Sequence, residues 1–351
     1  MNAVATKSVA VIPGDGIGKE VTREALKVLD ALIAKQSLPI SYQIYHDISG
    51  DGFLESGHVL DDAQFEELKE YGAIYLGAIG DPRVADPDYA KNVILKIRFG
   101  LDLYANIRPV KLYDPSFTPL EKKKPIDFTI IRENTEDMYL SIGGRLKPGT
   151  EDEVCVQEAI YTYKGVRRII EFAFDYAVKH RRTRVTLVDK SNVLTHGHLL
   201  WQRLFHEIAP KYPGIQTDSL YVDNAAQQLV KRPWEFQVIV TTNMFGDILS
   251  DLAGEVVGGL GLAPSANIHP GKYAMFEPVH GSAPKYAGQD VANPMAAILT
   301  LGLMLEYFEF PKAVEALDAA FKKTIAAKVL PRDIGGSAKC SEVGSSIASF
   351  I

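Results

Sequence analysis

The stretches DFTIIREN (127–134), RVTLVDKSNV (184–193) and FQVIVTTN (236–243) share one plan: β-branched and apolar residues that run into a polar end. Short apolar runs of this kind read as buried strands. SVAVI (8–12) and the glycine-punctuated GAIYLGAIG (72–80) read the same way. Helical stretches alternate with them. GKEVTREALKVLDALIA places Val21, Ala25, Leu26, Val28, Leu29 and Leu32 on one face, and YKGVRRIIEFAFDYAVKH repeats the period. Strands alternating with helices predict an α/β fold with largely parallel strands. Ligands of such sheets gather beyond the carboxyl ends of the strands. The polar residues that close these runs are therefore the place to look for chemistry.

A chain of 351 residues can form two lobes or one large α/β domain, and composition marks no boundary. Apolar residues at 46% and charged residues at 23% exclude a disordered or fibrous chain. The net charge of −6 argues against nucleic-acid binding, which needs clustered lysine and arginine. The longest basic run, EKKKP at 121–125, reads as a solvated loop. Cys155 and Cys340 lie far apart without CxxC spacing and indicate neither a disulfide framework nor a zinc site. The opening MNAVATKSVAVIPGDG reads as a first strand and not a signal peptide. No run approaches the roughly 18 apolar residues of a membrane helix. The expectation is a soluble cytoplasmic protein with no membrane or nucleic-acid partner.

Several stretches carry chemistry. In IPGDGIGKE, glycines at 14, 16 and 18 stand between a strand and a helix, where backbone can approach a ligand and a helix N-terminus favours anions. The spacing is not GxGxxG, because the position three after Gly16 is Lys19, so the loop is open to both a ligand and a tight-turn reading. Arg98 and Arg108 lie ten apart in KIRFGLDLYANIRPVK, and Arg132 closes a strand. A guanidinium fork suits bidentate carboxylate recognition, although any one arginine also fits a surface salt bridge. RENTEDMY ends in Tyr139, and Lys190 stands at a strand end as an ion-pair partner or a base. Asp223 precedes a helix, where capping would explain it.

In DILSDLAGEVV, Ile248, Leu249, Leu252, Val256 and Val257 form the expected core stripe, and Asp247, Asp251 and Glu255 form a stripe beside it. Like charges four apart on a helix repel by a few tenths of a kcal/mol, that is about 0.2–0.5. A helix start offsets this for Asp247 only; a hard divalent cation offsets it for Asp247 and Asp251 together. Spacing alone leaves both readings open.

VIPGDGIGKEV, LDLYANIRPVK, DKSNVL, NMFGDILSDLAG, MFEPVHGSAPKYAGQDVANPMAAIL and RDIGGSAKC occur in this order along nearly the whole chain. Together they resemble the β-decarboxylating dehydrogenases, the family of isopropylmalate and isocitrate dehydrogenases. The resemblance implies a two-domain, non-Rossmann α/β fold, in keeping with the missing GxGxxG. Residues 1–103 plus 257–351 would bind cofactor, and 104–256 would bind substrate and metal and form a homodimer with shared active sites. Arg98, Arg108 and Arg132 would hold substrate carboxylates. Asp247 and Asp251, with Asp223 of a second subunit, would bind Mg²⁺ or Mn²⁺. Lys190, also from the second subunit, would help deprotonate the 2-hydroxyl, and Tyr139 would protonate the enol after decarboxylation. Glu277, His280, Gly281, Ser282, Ala283 and Asn293 would contact the nicotinamide cofactor.

The chemistry of the implied reaction explains the residue types. The hydroxyl must lose its proton while hydride leaves C2, and a cation lowers the pKa of that oxygen. The same cation serves the loss of CO₂, and an acid must then protonate C3. On this view Asp247 and Asp251 are ligands, not cap and surface.

The substituent at C3 distinguishes members of the family. Ile94 and Leu95, just before Arg98, offer apolar side chains to an alkyl group and would leave a third carboxylate unpaired. Asn92 keeps isocitrate in view, and Lys91 departs from the acidic residue often found there in isopropylmalate enzymes. Lys285 and Tyr286 resemble the pair that contacts the 2′-phosphate of NADP⁺; a lysine cannot accept the ribose hydroxyls as an aspartate does. The sequence thus points to 3-isopropylmalate with a lean to NADP⁺ over NAD⁺, followed by isocitrate with NADP⁺, then D-malate or tartrate. A silent regulatory subunit would be expected to lack one of Tyr139, Lys190, Asp223, Asp247 or Asp251, and all are present.

Overall fold

The computed structural model describes residues 6–351. The first five residues, part of the stretch read above as no signal peptide, lie outside the described residues. The strands are β1 (Lys7–Gly14), β2 (Ile40–Ile44), β3 (Ala73–Ala78), β4 (Ala105–Lys111), β5 (Asp127–Glu133), β6 (Gly143–Leu146), β7 (Val154–Gln157), β8 (Arg184–Asp189), β9 (Gln216–Tyr221), β10 (Val238–Thr241), β11 (Pro264–His269) and β12 (Tyr273–Pro278). The helices are α1 (Gly18–Gln36), α2 (Gly50–Ser56), α3 (Asp62–Leu68), α4 (Tyr89–Gly100), α5 (Tyr163–Lys179), α6 (Gly197–Ile208), α7 (Val222–Lys231), α8 (Asn243–Val256), α9 (Met295–Tyr307), α10 (Pro311–Ala326) and α11 (Cys340–Phe350). They form two compact units. The first is Met1–Leu103, Leu112–Lys123 and Gly254–Ile351; the second is Tyr104–Lys111 and Lys124–Ala253.

In the first unit the strands run in the order β2-β1-β3-β12-β11. All neighbours are parallel except the β11–β12 pair. The apolar face expected for α1 is buried in full, from Val21 to Leu32. Helix α9 is buried almost all round, which is why it shows no polar stripe. Ile12, Ile48, Leu76, Val93, Ile97 and Met275 fill one core, and each such side chain contributes about 1.5–3 kcal/mol by leaving water.

In the second unit the order is β4-β5-β10-β8-β9. β5, β10, β8 and β9 are mutually parallel, and β4 runs against β5. The register sets Thr241 beside both Arg132 and Val188, and Asp189 beside Tyr221. The carboxyl ends of four strands therefore line one edge, where Arg132, Lys190, Asp223 and the start of α8 follow one another. Val166, Ile169, Ile170, Ala173 and Phe174 of α5 cover the sheet.

The core stripe expected on α8 needs one correction. Leu249 is 1% exposed and Val256 and Val257 are buried, but Ile248 is 60% exposed. Ile248 follows Asp247 on the side of the helix that also carries the exposed Asp251 and Glu255, and that side faces away from the core.

Candidate active site

Arg132 is the penultimate residue of β5 and its side chain is 1% exposed. Its path crosses the first turn of α8 at Gly246, where a Cβ would fall 2.5 Å from the arginine Cγ. The guanidinium Nε donates to the Asn243 carbonyl at 2.9 Å and to its Oδ1 at 3.0 Å, and Nη2 donates to the same Oδ1 at 2.6 Å. Nη1 donates to Asp247 Oδ1 at 2.5 Å. Arg108 comes from β4. The antiparallel register pairs Asn106 with Arg132, so Arg108 is the next residue on the same face. Arg108 donates to Asn106 Oδ1 at 2.8 Å and to Ser250 Oγ at 2.6 Å, and lies 3.2 Å from Asp247 Oδ1 and 3.5 Å from Asp251 Oδ1.

Tyr139 completes this group. Its hydroxyl donates to Asp247 Oδ2 at 2.8 Å, and the Arg132 guanidinium lies 5.0 Å from the centre of its ring. Burial, with the Asp247 carboxylate, pushes the Tyr139 hydroxyl above its ordinary range against the opposing pull of Arg132 and Arg108. The phenol thus keeps its proton at neutral pH and is a proton donor.

The capping reading of Asp247 fails, because α8 begins at Asn243, one turn earlier. Asp247 and Asp251 instead share Arg108, which offsets their mutual repulsion. Two hard carboxylate donors one turn apart, partly open to solvent, suit a cation that takes one or two carboxylates and completes its shell with water and substrate oxygens. Among the described residues no group of three His, Cys, Asp or Glu is placed to hold a metal ion.

Lys190 and Asp223 form a second pair, with Nζ donating to Oδ1 at 2.5 Å and lying 5.6 Å from the Tyr221 ring centre. The hydrogen bond from Lys190 holds the Asp223 carboxyl below the usual range. Asp223 stands inside the first turn of α7 and is not its cap, which is Tyr221.

In the first unit, Arg98 Nη2 donates to Glu277 Oε1 at 2.6 Å, and Asn267 donates to the same oxygen at 2.8 Å. Arg98 Nε is buried with no hydrogen-bond partner among the described residues. Ile94 lies one helical turn before Arg98 and packs partly on the core. Leu95 is turned to a different side and lines an open groove with Phe65, Lys91 and Phe99. Lys91 is paired with Asp88.

The glycine loop has a structural cause of its own. Gly14 and Gly16 have φ of +68° and +54°, and a Cβ at Gly16 would lie 2.0 Å from the Ser282 carbonyl. The Ile17 N–H donates to that carbonyl at 2.8 Å, which ties the loop to the stretch carrying His280, Gly281, Ser282 and Ala283. Ala283 is itself left-handed at φ +37°. His280 Nε2 is buried without a partner among the described residues, so this stretch, like Arg98, presents an orphaned polar atom that a bound group can satisfy. Lys285 Nζ lies 4.7 Å from the ring centre of the exposed Tyr286, and Asn293 donates to Asp333 at 2.9 Å.

Four residues that no sequence motif singles out hold these sites. Asp15 accepts from Gly50 N–H, Gly80 N–H and the Tyr89 hydroxyl at 2.7–2.8 Å. Glu20 accepts from Gly288 and Asp290 N–H. Asn243 clamps Arg132, and Asp333 anchors Asn293. The one visible signal was position: Asn243 closes a strand run just as Arg132 does.

The isocitrate/isopropylmalate dehydrogenase family model matches residues 8–347. The 3-isopropylmalate dehydrogenase of Thermobifida fusca is 42% identical over 350 residues, covering 99% of this chain and 98% of that protein. That of Corynebacterium jeikeium is 44% identical over 343 residues, covering 97% and 98%. Among solved structures, isocitrate dehydrogenase from Methylococcus capsulatus superposes with a TM-score of 0.89 at 34% identity, covering 98% of this chain and 99% of that one. The TT0538 protein from Thermus thermophilus gives 0.89 at 37% identity, covering 98% and 68%. A family match over nearly every residue, joined to relatives alike from end to end, places the chain in the isocitrate/isopropylmalate dehydrogenase family.

Proposed function

We propose that the chain catalyses cation-dependent oxidative decarboxylation of a 3-substituted malate, with 3-isopropylmalate as the preferred substrate and NAD(P)⁺ as hydride acceptor. The observation that carries this reading is the convergence of Arg108, Arg132 and the Tyr139 hydroxyl on one carboxylate, Asp247. Two buried cations and a protonated phenol around an acidic group are what a dicarboxylic 2-hydroxy acid needs for binding and for proton delivery. The relatives named 3-isopropylmalate dehydrogenase support the substrate.

Mg²⁺ or Mn²⁺ would be held by Asp247 and Asp251 with Asp223 of the partner subunit, and when bound would make the 2-hydroxyl more acidic. Arg108 and Arg132 hold the substrate carboxylates, with Arg98 as a further cation. Lys190 of the partner subunit would take the hydroxyl proton, and a bound nicotinamide would supply the hydride acceptor for C2. Tyr139 gives its proton to C3 once CO₂ has left. The first unit would bind the cofactor through Glu277, His280, Gly281, Ser282, Ala283, Lys285, Tyr286 and Asn293; the second would bind substrate and cation. Ile94, one turn from Arg98, would take the alkyl substituent, whereas Leu95, expected beside it, is turned to a different side. A homodimer is supported by the hairpin β6–β7, where Ile142, Leu146, Val154 and Val156 are exposed, and by exposed Ile248 next to Asp247. Contiguous exposed apolar side chains mark interaction surfaces.

One observation favours a second reading. The Lys285–Tyr286 pair suits a 2′-phosphate, as in an NADP⁺-linked isocitrate enzyme. Initial rates with Mg²⁺ and either NAD⁺ or NADP⁺ across 3-isopropylmalate, isocitrate, D-malate and tartrate decide between them. Preference for isopropylmalate supports the proposal; preference for isocitrate with NADP⁺ replaces it, and no turnover of any of the four refutes both.

A further inference from the structure

A chain of partly buried hydrogen bonds joins the two sets of residues in the second unit. The Lys190 backbone N–H donates to His198 Nδ1 at 2.9 Å. His198 Nε2 lies 3.1 Å from the Tyr161 hydroxyl, which donates to Asp137 Oδ1 at 2.7 Å. Asp137 Oδ2 accepts the Met244 N–H at 2.9 Å, in the first turn of α8. His198 is fully buried and Asp137 is 2% exposed. A histidine that accepts at Nδ1 and is neutral carries its proton on Nε2. Nε2–H then donates to Tyr161, whose own proton goes to Asp137, so every member has one direction and none is left over.

The packing holds this arrangement. The His198 ring stands edge-on to Tyr161 at 5.1 Å and lies 5.5 Å from the ring of Phe245 on α8. Gly197 makes room for Tyr161, since a Cβ there would fall 2.3 Å from its ring. Asp137 has φ +71°, a backbone state that a non-glycine residue holds only when its surroundings impose it. It stands two residues before Tyr139.

We infer that His198, through Tyr161 and Asp137, is a positioning residue that fixes the Lys190 backbone relative to the Tyr139 turn and the start of α8, and so orients within one subunit both the proton donor of its own active site and the proton acceptor it offers to the partner's site. The inference rests on the roles proposed for Lys190 and Tyr139. It concerns orientation, because a backbone N–H passes no proton.

The test uses the full-length enzyme and two variants that split the imidazole. His198→Asn keeps an acceptor near Nδ1 and loses the Tyr161 contact; His198→Gln keeps a donor near Nε2 and loses the Lys190 contact. A misplacement of about 1 Å costs up to about 100-fold in rate. The inference expects kcat to fall by about that much in His198→Gln with KM for the hydroxy acid within about threefold, and His198→Asn to recover at least about tenfold of the loss. Both variants are compared at matched melting temperature and native mass. Equal kcat in folded Asn and Gln variants, or a loss confined to stability, overturns it. Should wild type oxidise no 3-substituted malate, the proposed function falls by itself. The relay is then judged by imidazole ¹⁵N shifts: a neutral His198 protonated on Nε2 supports it, and an Nδ1–H tautomer or an imidazolium overturns it.

Discussion

Replacing Arg132 by lysine keeps a positive charge and removes the fork. The contacts of the guanidinium include three donated to Asn243 and one to Asp247. A lysine ammonium on a shorter, unforked stem can satisfy Asn243 or Asp247 but not both in this geometry. A hydrogen bond to a charged group contributes about 1.5–3 kcal/mol, and a buried acceptor left unpaired costs about 1–3 more. Asp247 is 38% exposed, so water recovers part of its share. The expected loss is therefore about 2–4 kcal/mol of stability. For a chain of this length each kcal/mol lowers Tm by about 1–2 °C, which calorimetry resolves. In the proposed role the fork also holds a substrate carboxylate, so kcat/KM should drop by about 30- to 150-fold, while the Kd for the cofactor in the absence of substrate should stay the same. A lysine variant within about 1 °C of wild-type Tm and within about threefold of its kcat/KM would refute the idea that Arg132 acts through its fork.

Three further outcomes follow from the same structure. Lys285→Asp exchanges a donor for an acceptor beside Tyr286, and the NADP⁺/NAD⁺ ratio of kcat/KM should fall by about 100-fold, worth about 3 kcal/mol; an unchanged ratio contradicts the assignment. Burial, with the neighbouring Glu136 charge, pushes the Glu133 carboxyl up from 4.5 to about 7. A raised acid binds its proton more tightly when folded, so stability present below about 4.5 is lost as pH rises through about 7; melting curves of Glu133→Gln should lose that slope, and an unaltered slope refutes its source. Ile248→Asp places a charge on an exposed apolar position outside the binding machinery, and sedimentation should show the monomer mass with activity lost; a fully active dimer would remove this face from the interface.

The strands were legible because apolar β-branched runs ending in polar residues admit few other structures, and the α1 face because its period is set by the helix itself. Ile248 was misplaced for a related reason: periodicity reveals an apolar residue but not whether the core or the outer side of the helix receives it. The two arginines beside Asp247 were visible residue by residue, whereas their geometry was not. Arg108 reaches Asp247 and Asp251 only through an antiparallel register that no local signal sets. Asp15 and Glu20 were passed over because their partners are distant in sequence, 74 residues away for Tyr89 and 270 for Asp290. Asp247 looked like a cap because the helix start was placed at the aspartate instead of at Asn243.

In the proposed reaction one enzyme both oxidises C2 and releases the C3 carboxylate with the help of a divalent cation. The stoichiometry of NAD(P)H and CO₂ formed from 3-isopropylmalate, with Mg²⁺ and again with excess chelator, tests this coupling. One CO₂ per reduced nicotinamide is expected with Mg²⁺ and neither product with chelator. Reduced nicotinamide without CO₂, or undiminished turnover in chelator, would contradict it.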